Sequence, residues 1–318
     1  MNTDIQARHD NRLLQSLESS ERNQLLPHLE RVYLERGDIV FESGQAVQHA
    51  YFPTDSIVSL QSPLLDGSAG QSAIVGNEGM VGVMLIMGSD QAVNRGVVQN
   101  AGYAYRLRAR TLQEEFGKLS SLQRCLLRYI QALLTQMGQN TACNRHHTVY
   151  QQLCRWILLS VDRLPTNEME ITHELIAGLL GVRREGVTDA AGKLQAAGLI
   201  RYSRGHITVL DRAGLERECC ECYHVVKREF DRLLSPTRPP IGGFTAPTQP
   251  RPPFVAHRTV NRSGVRNAPV HLGLARGAWG PAAHSTRMAA DVSSRDATAR
   301  QSAPRAFAER GPASTARQ

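Results

Sequence analysis

Residues 171–197, ITHELIAGLLGVRREGVTDAAGKLQAA, decide how this chain is read. Apolar side chains recur at Leu175, Ile176, Leu179 and Leu180, and again at Val182, Val187, Ala191 and Leu194, close to the period of one helical face. Gly181 stands at the break between the two sets. Thr172 can cap the first helix, with Leu175 and Ile176 turned inward, and Gly181 supplies the backbone freedom that a sharp helix–helix turn needs. The stretch predicts a helix-turn-helix. With Val187, Ala191 and Leu194 buried, the opposite side of the second helix carries Arg184, Glu185, Thr188 and Asp189, groups of the kinds that read base edges in a major groove.

A solvated helix face carries the same charges, so the flanking sequence has to separate the two readings. Gly198–Leu210, GLIRYSRGHITVL, reads as two short strands rich in Ile, Tyr, Val and Thr around Ser203-Arg204-Gly205. A hairpin wing directly after the second helix makes a winged helix-turn-helix the simplest architecture. Within it Thr172, Arg183 and Arg204 are expected to touch phosphates, which position the helix without adding sequence information.

Upstream, short helices are expected over Asn11–Leu17 and near Glu21–Leu26, and from Glu30 to Leu107 the pattern changes to period two. Val32 and Leu34, Ile39 to Phe41, Tyr51 and Phe52, Ile57 and Ser59, Ala73 and Val75, Val97 and Val98, and Tyr103 to Leu107 alternate with turns such as Gly37-Asp38, Asp66-Gly67 and Gly76-Asn77. Many short strands at this spacing predict a sandwich or jelly-roll barrel. No cysteine, metal-ligand spacing or nucleophile–base arrangement occurs there, which argues against an enzyme. From about Thr111 the chain turns helical, with Leu119, Leu122, Leu126, Tyr129, Ile130, Leu133 and Met137 at three- and four-residue steps. Such a stripe serves either the chain's own core or a second copy. Its place between a barrel and a DNA-reading module favours a dimer seam of Leu122, Leu126, Tyr129, Leu133 and Met137, because a two-fold axis brings two recognition helices to successive major grooves. Asn144–Leu164 reads as a further amphipathic helix, with Val149, Leu153, Trp156, Ile157 and Ser160 on one face. The expectation is an α+β chain: a β-roll domain at 1–110, a dimerisation helix at 111–143, a winged helix-turn-helix domain at 144–234 and a tail at 235–318.

At 318 residues and 41% hydrophobic content there is material for two domains plus extras. The sequence has no apolar run of about 18 residues and no charged-then-apolar amino terminus, so a cytoplasmic protein without membrane contact is expected. Twelve of the 37 basic residues, all Arg, and three of the 29 acidic ones fall in 235–318, giving that segment +9 and leaving −1 for the rest. Rich in Pro, Ala, Arg, Ser and Gly, the segment is expected to be disordered. Both a nonspecific DNA-binding arm and the translation of a GC-rich frame past its usual end account for its arginines.

The six cysteines are expected to be reduced. Three of them lie in Cys219-Cys220-Glu221-Cys222, close enough to share a metal. On a single helix over Asp211–Leu234, however, Cys219 and Cys222 share a face and read as small buried hydrophobes, so no metal ligand is assigned. His146-His147 reads as a capped, half-exposed helix start.

This order of parts resembles the Crp/Fnr superfamily of bacterial transcription regulators over about Leu25 to Leu234. The matching motifs are VFESGQ (Val40–Gln45), YFP (Tyr51–Pro53), GNEGMVG (Gly76–Gly82), THELIAGLLGVRREGV (Thr172–Val187) and GLIRY (Gly198–Tyr202). The resemblance implies a β-roll, a homodimer, and sequence-specific binding of double-stranded DNA coupled to a signal felt by the β-roll, with RNA polymerase as a partner if it activates. It also marks departures. Members that bind cyclic AMP follow the glycine at the place of Gly82 with a Glu for the ribose hydroxyl and a downstream Arg for the cyclic phosphate. Here these places hold Val83 and Ala92, Arg95 is the only nearby cation, and Met84 keeps the cassette apolar. Losing both charge-assisted anchors, each worth roughly 1.5–3 kcal/mol, argues against cyclic nucleotide and leaves Gly82, Val83, Met84, Ala92 and Arg95 as a degenerate pocket with an unknown effector. The amino-terminal cysteines of the iron–sulfur branch are missing, Cys125 being the first, and no single His stands out for haem, so no cofactor is assigned. Cyclic AMP-binding members carry Arg at the place of Asp189, so their half-site does not transfer. The rival reading is a signalling module that binds a cyclic nucleotide or other small ligand without reading DNA.

Overall fold

The computed structural model describes residues 10–118 and 120–234. The chain divides into units 1–245 and 246–318, and every described residue lies in the first. The expected disorder of 235–318 and the place of Leu119 in the helical stripe lie outside the described residues.

Helix α1 (Arg12–Gln15) starts at Asn11, whose side-chain oxygen accepts from the Leu14 amide at 3.0 Å. Helix α2 (Ser19–Leu25) runs into a 3-10 turn, Leu26–His28, that contains Pro27. Seven strands follow: β1 (Glu30–Leu34), β2 (Ile39–Phe41), β3 (His49–Pro53), β4 (Ile57–Pro63), β5 (Ala69–Val75), β6 (Arg95–Asn100) and β7 (Gly102–Arg108). They pair antiparallel in two sheets, β1-β7-β3 and β2-β6-β4-β5, as expected of a β-roll. Period two holds on β3, where Ala50 and Phe52 are buried and His49 and Tyr51 are half-buried. It fails on β4, whose residues Ile57–Gln61 are all buried. The reason is that helices cover the second face of this sheet. Gln136 bonds both the amide and the carbonyl of Ile74 (3.2 and 3.1 Å), Trp156 Nε1 donates to Gln71 Oε1 (3.0 Å), and Gln71 Nε2 donates to Ser59 Oγ (2.7 Å). A strand with no solvent side keeps its polar residues only where they satisfy one another.

Beyond β7 come α3 (Ala109–Lys118), the long α4 (Ser120–His146) and α5 (Val149–Val161). The expected boundary at 143/144 falls inside α4, and α5 begins at Thr148, which forms a capping box with Gln151. The expected seam is corrected. Leu122, Leu126, Tyr129 and Leu133 are buried in the chain's own core, because this side of α4 faces the β-roll and the last helix among the described residues, Glu221–Leu234. Tyr129 donates to the Met80 carbonyl (3.0 Å) and meets Phe230 edge-on, with ring centroids 6.3 Å apart. The row left outside is Leu127 (54% exposed) and Leu134 (60%), with Ile130 and Met137 half-buried beside it.

The GNEGMVG segment explains how α4 and α5 sit on the roll. A Cβ at Gly79 would lie 2.5 Å from the Tyr129 hydroxyl, and one at Gly76 would lie 2.6 Å from Arg163 Cβ. Only glycine admits both side chains. Between the two, Glu78 and Arg163 form an ion pair at 2.8 Å with both side chains 5% exposed. Arg163 also donates to the Leu159 carbonyl (2.6 Å), and Glu78 accepts from the Gly76 amide (3.2 Å).

The remaining elements are β8 (Glu168–Glu170), α6 (His173–Leu180), α7 (Arg184–Ala196), β9 (Ile200–Ser203), β10 (His206–Val209), α8 (Arg212–Glu218) and α9 (Glu221–Leu234). Strands β8-β10-β9 form an antiparallel sheet. The single helix expected over Asp211–Leu234 is broken at Cys219-Cys220, where the backbone leaves the helical region.

Candidate nucleic-acid interface

The helix-turn-helix forms as its sequence predicts. Thr172 Oγ1 accepts from the Leu175 amide at 3.2 Å, and Gly181 ends α6 in the left-handed conformation (φ 68°). Ile176, Leu179 and Leu180 of α6 and Val187, Ala190, Ala191 and Leu194 of α7 are buried together. Leu175 departs from the expectation: it is 41% exposed, since the third helical position lies outside the arc defined by Ile176, Leu179 and Leu180. With Thr172 and Leu179 it borders a cavity of about 220 Å³ whose other wall is Ser59, Gln61 and Gln99 of the roll.

Arg184, Glu185, Thr188 and Asp189 all lie on the exposed side of α7, with Arg184 and Glu185 in its first turn. Their surroundings differ. Arg184 Nε is 3.8 Å from Glu174 Oε2, and Asp189 pairs with Lys193 at 2.7 Å. Both pairs are widely exposed and hold these side chains weakly. The Thr188 hydroxyl donates to the Arg184 carbonyl (3.1 Å) and lies 3.1 Å from His173 Nδ1, so it is bound to its own domain.

His173 is the residue that the sequence reading missed. It stacks on Tyr202 of the wing with centroids 4.1 Å apart and planes 18° from parallel, and Gln195 Oε1 accepts from the Tyr202 amide (2.7 Å). α6, α7 and the wing are thereby locked into one surface. Burial, with the charge of Arg184 second, holds the imidazole below its usual pKa. Its sequence signal was its place at the first helical position after the capping Thr172.

At the wing tip Arg204 (φ 50°) and Gly205 (φ 81°) form a two-residue turn with both φ positive, the hairpin geometry whose twist matches its strands. Arg183, the residue before α7, and Arg204 are exposed, as is Thr172 at the start of α6. All three phosphate candidates are open to a ligand.

The residues of the degenerate effector pocket lie at the 3-10 turn that Gly82 opens, in the segment that follows it and on β6. Gly82 is left-handed (φ 102°) and opens a 3-10 turn, Val83–Ile86, with Met84 half-buried. Ala92 is buried in the core, and Arg95 Nε donates to Gln61 Oε1 (3.3 Å) on the neighbouring strand. The thiols are rearranged as well: Cys220 and Cys222, not Cys219 and Cys222, are buried together, and Cys143 and His147 join them. Among the described residues, no helix is long and apolar enough to cross a membrane.

Residues 151–218 match the Crp-like helix-turn-helix domain family. No curated protein matches the chain. Among solved structures, FixK2 from Bradyrhizobium japonicum is similar with a TM-score of 0.53 at 14% identity, over 60% of this chain and 98% of its own. A protein from Eubacterium rectale assigned to the Crp/Fnr regulators gives 0.51 at 19% identity, over 65% and 96%. A CRP-family transcriptional regulator from Thermus thermophilus gives 0.50 at 19% identity, over 59% and 95%.

Proposed function

For a chain that carries a Crp-like helix-turn-helix domain within the fold of the Crp/Fnr regulators, we propose a sequence-specific DNA-binding transcription regulator that works as a homodimer. The observation that carries this reading is the exposed row of Arg184, Glu185, Thr188 and Asp189 on a helix whose other face is locked in the core. Arg184 reaches guanine O6 and N7 as a bidentate pair, and Glu185 accepts from a cytosine amino group. Asp189 repels phosphates and guanine acceptors and favours amino donors. Thr172, Arg183 and Arg204 bind phosphates on either side.

A second copy docks on the outward face of α4. Leu127, Ile130, Leu134, Met137 and Thr141 follow one another at three- and four-residue steps, the pattern of a helix–helix seam, and Met137 is the residue shared with the seam expected from sequence. The dimer sets two recognition helices roughly 34 Å apart, so half-sites lie about 10–11 base pairs apart, centre to centre. A signal in the β-roll would act through the contacts that tie it to α4 and to the end of α5, among them Glu78–Arg163 and Tyr129–Met80. A regulator of this kind is a non-enzymatic protein of the cytoplasm, and an activator adds RNA polymerase to its partners.

Selection of binding sites from random duplexes with the full-length protein tests the reading and is expected to return a two-fold symmetric motif. Arg184→Ala should cost about 1–3 kcal/mol on that motif and relax one base position, whereas Arg204→Ala should weaken all sequences alike and lower the salt slope by about one. The same motif at the same affinity from Arg184→Ala refutes the assignment of the recognition helix.

A further inference from the structure

Four side chains from distant parts of the sequence meet where the end of α4 approaches the junction of α8 and α9. Cys143, His147, Cys220 and Cys222 bring one ligand atom each to within 4.8 Å of all the others. Cys143 lies in the last turn of α4 and His147 is the residue after it, spaced i and i+4, with the His147 amide donating to the Cys143 carbonyl at 3.0 Å. Cys220 lies in the break between α8 and α9, and Cys222 in the first turn of α9. The three cysteines are buried and His147 is half-buried.

The spacing is that of ligands around one ion. Cys143 Sγ is 3.6 Å from Cys220 Sγ, and Cys222 Sγ is 3.4 Å from His147 Nδ1. A tetrahedral zinc with Zn–S bonds of about 2.3 Å and Zn–N bonds of about 2.0–2.1 Å has S···S edges near 3.8 Å and S···N edges near 3.6 Å. The surroundings suit it as well. His147 turns its other nitrogen, Nε2, to Glu221 Oε2 at 3.4 Å, the carboxylate–histidine arrangement that orients a metal-bound imidazole. Gln139 Nε2 lies 3.2 Å from Cys222 Sγ as a donor.

Arg155 is an independent observation. It is buried, its charge bears on Cys143 and Cys219, and its guanidinium is met by the neutral amides of Asn140 and Asn144, with Nε unpartnered among the described residues. A buried cation needs a counter-charge. Three thiolates, one neutral imidazole and one divalent cation carry a net charge of −1 and supply it.

We propose that Cys143, His147, Cys220 and Cys222 bind one thiophilic divalent cation, of which Zn²⁺ is the type. The ion ties the end of the long helix to the carboxy-terminal helix pair of the DNA-reading domain. Cys219, half-buried and outside the set of four, is not a ligand.

The full-length protein, reduced and stripped with a chelator, is titrated with Zn²⁺ alone against a chromophoric competitor and, separately, with Co²⁺. The expected result is one equivalent per chain, a thiolate-to-cobalt charge-transfer band with the intense visible bands of tetrahedral cobalt, and bleaching of both by Zn²⁺. Cys143→Ser and Cys222→Ser should each lower Zn²⁺ affinity by more than the roughly 10–100-fold that loss of an outer-shell partner costs, while Cys154→Ala, a buried thiol outside the set, leaves affinity and spectrum unchanged. If a serine variant fails to fold, alkylation of the parent protein answers the same question, since Zn²⁺ should protect Cys143, Cys220 and Cys222 and leave Cys125 reactive. The proposal is overturned by a cobalt spectrum without thiolate bands, by undiminished Zn²⁺ affinity in Cys143→Ser and Cys222→Ser, or by a Cys143–Cys220 disulfide that forms equally fast with Zn²⁺ present. None of these readouts involves DNA.

Discussion

Glu78→Ala tests how the β-roll is held to the helices beneath it. Glu78 lies between β5 and the 3-10 turn at Val83–Ile86, and Arg163 lies just beyond α5, 85 residues later. Both side chains are 5% exposed and their contact is 2.8 Å. The substitution leaves the Arg163 guanidinium buried without the carboxylate that pairs with it, the Leu159 carbonyl (2.6 Å) and the Phe230 ring (5.6 Å) remaining among its neighbours, and strips the Gly76 amide of its acceptor. Breaking a buried pair from one side costs about 3–5 kcal/mol, a large share of the roughly 5–15 kcal/mol that stabilises a typical domain. At about 2–4 °C per kcal/mol for a unit of this size, the melting temperature should fall by about 6–20 °C. Replacing both partners, Glu78→Leu with Arg163→Met, removes the stranded charge and should recover most of the loss, because a well-packed apolar pair is often neutral against a buried ion pair. Urea unfolding followed by far-UV circular dichroism on the full chain, run as a double-mutant cycle, measures the coupling. A Glu78→Ala protein within about 0.5 kcal/mol of the parent, the scatter of ordinary surface substitutions, would refute the reasoning.

Three further outcomes are expected. Leu127→Glu with Leu134→Glu should give a folded monomer in sedimentation, whereas Leu126→Glu, which places a charge at a fully buried position, should unfold the chain; a dimer unaffected by the first pair would reject the outward seam. The folded-state pKa of His173 is lowered, so between the ordinary value of 6.5 and that lower value the unfolded chain holds more protons. Its contribution is therefore intact above pH 6.5 and declines as the medium is acidified through that window. His173→Gln should show a smaller loss of urea stability on acidification than the parent, and identical pH profiles would discount the effect. Cyclic AMP should give no heat in isothermal titration at millimolar concentration, since Val83 and Ala92 stand at the places of the two anchors and Arg95 is engaged by Gln61; micromolar binding would overturn that.

What could be read in the sequence alone was local. The caps and turn of the helix-turn-helix, the wing with its Arg204-Gly205 tip and the two helix faces of α7 depend on residues no more than a few positions apart, so periodicity and capping chemistry display them directly. The roll was legible as a succession of short strands, but the sandwiched β4 was not, because its second face is covered by side chains some 60 to 100 residues downstream. Along α4 two apolar stripes run side by side, one through Leu122, Leu126, Tyr129 and Leu133 and one through Leu127, Ile130 and Leu134. Spacing cannot rank them; only the approach of the sheet and of α9 decides which one is interior. The Glu78–Arg163 pair and the Cys143–His147–Cys220–Cys222 cluster are tertiary for the same reason, joining residues 85 and 77 positions apart whose attraction leaves no periodic trace. A helix or a turn is specified by neighbours in the chain, whereas a buried ion pair or a ligand cluster exists only once packing has brought distant segments to one place.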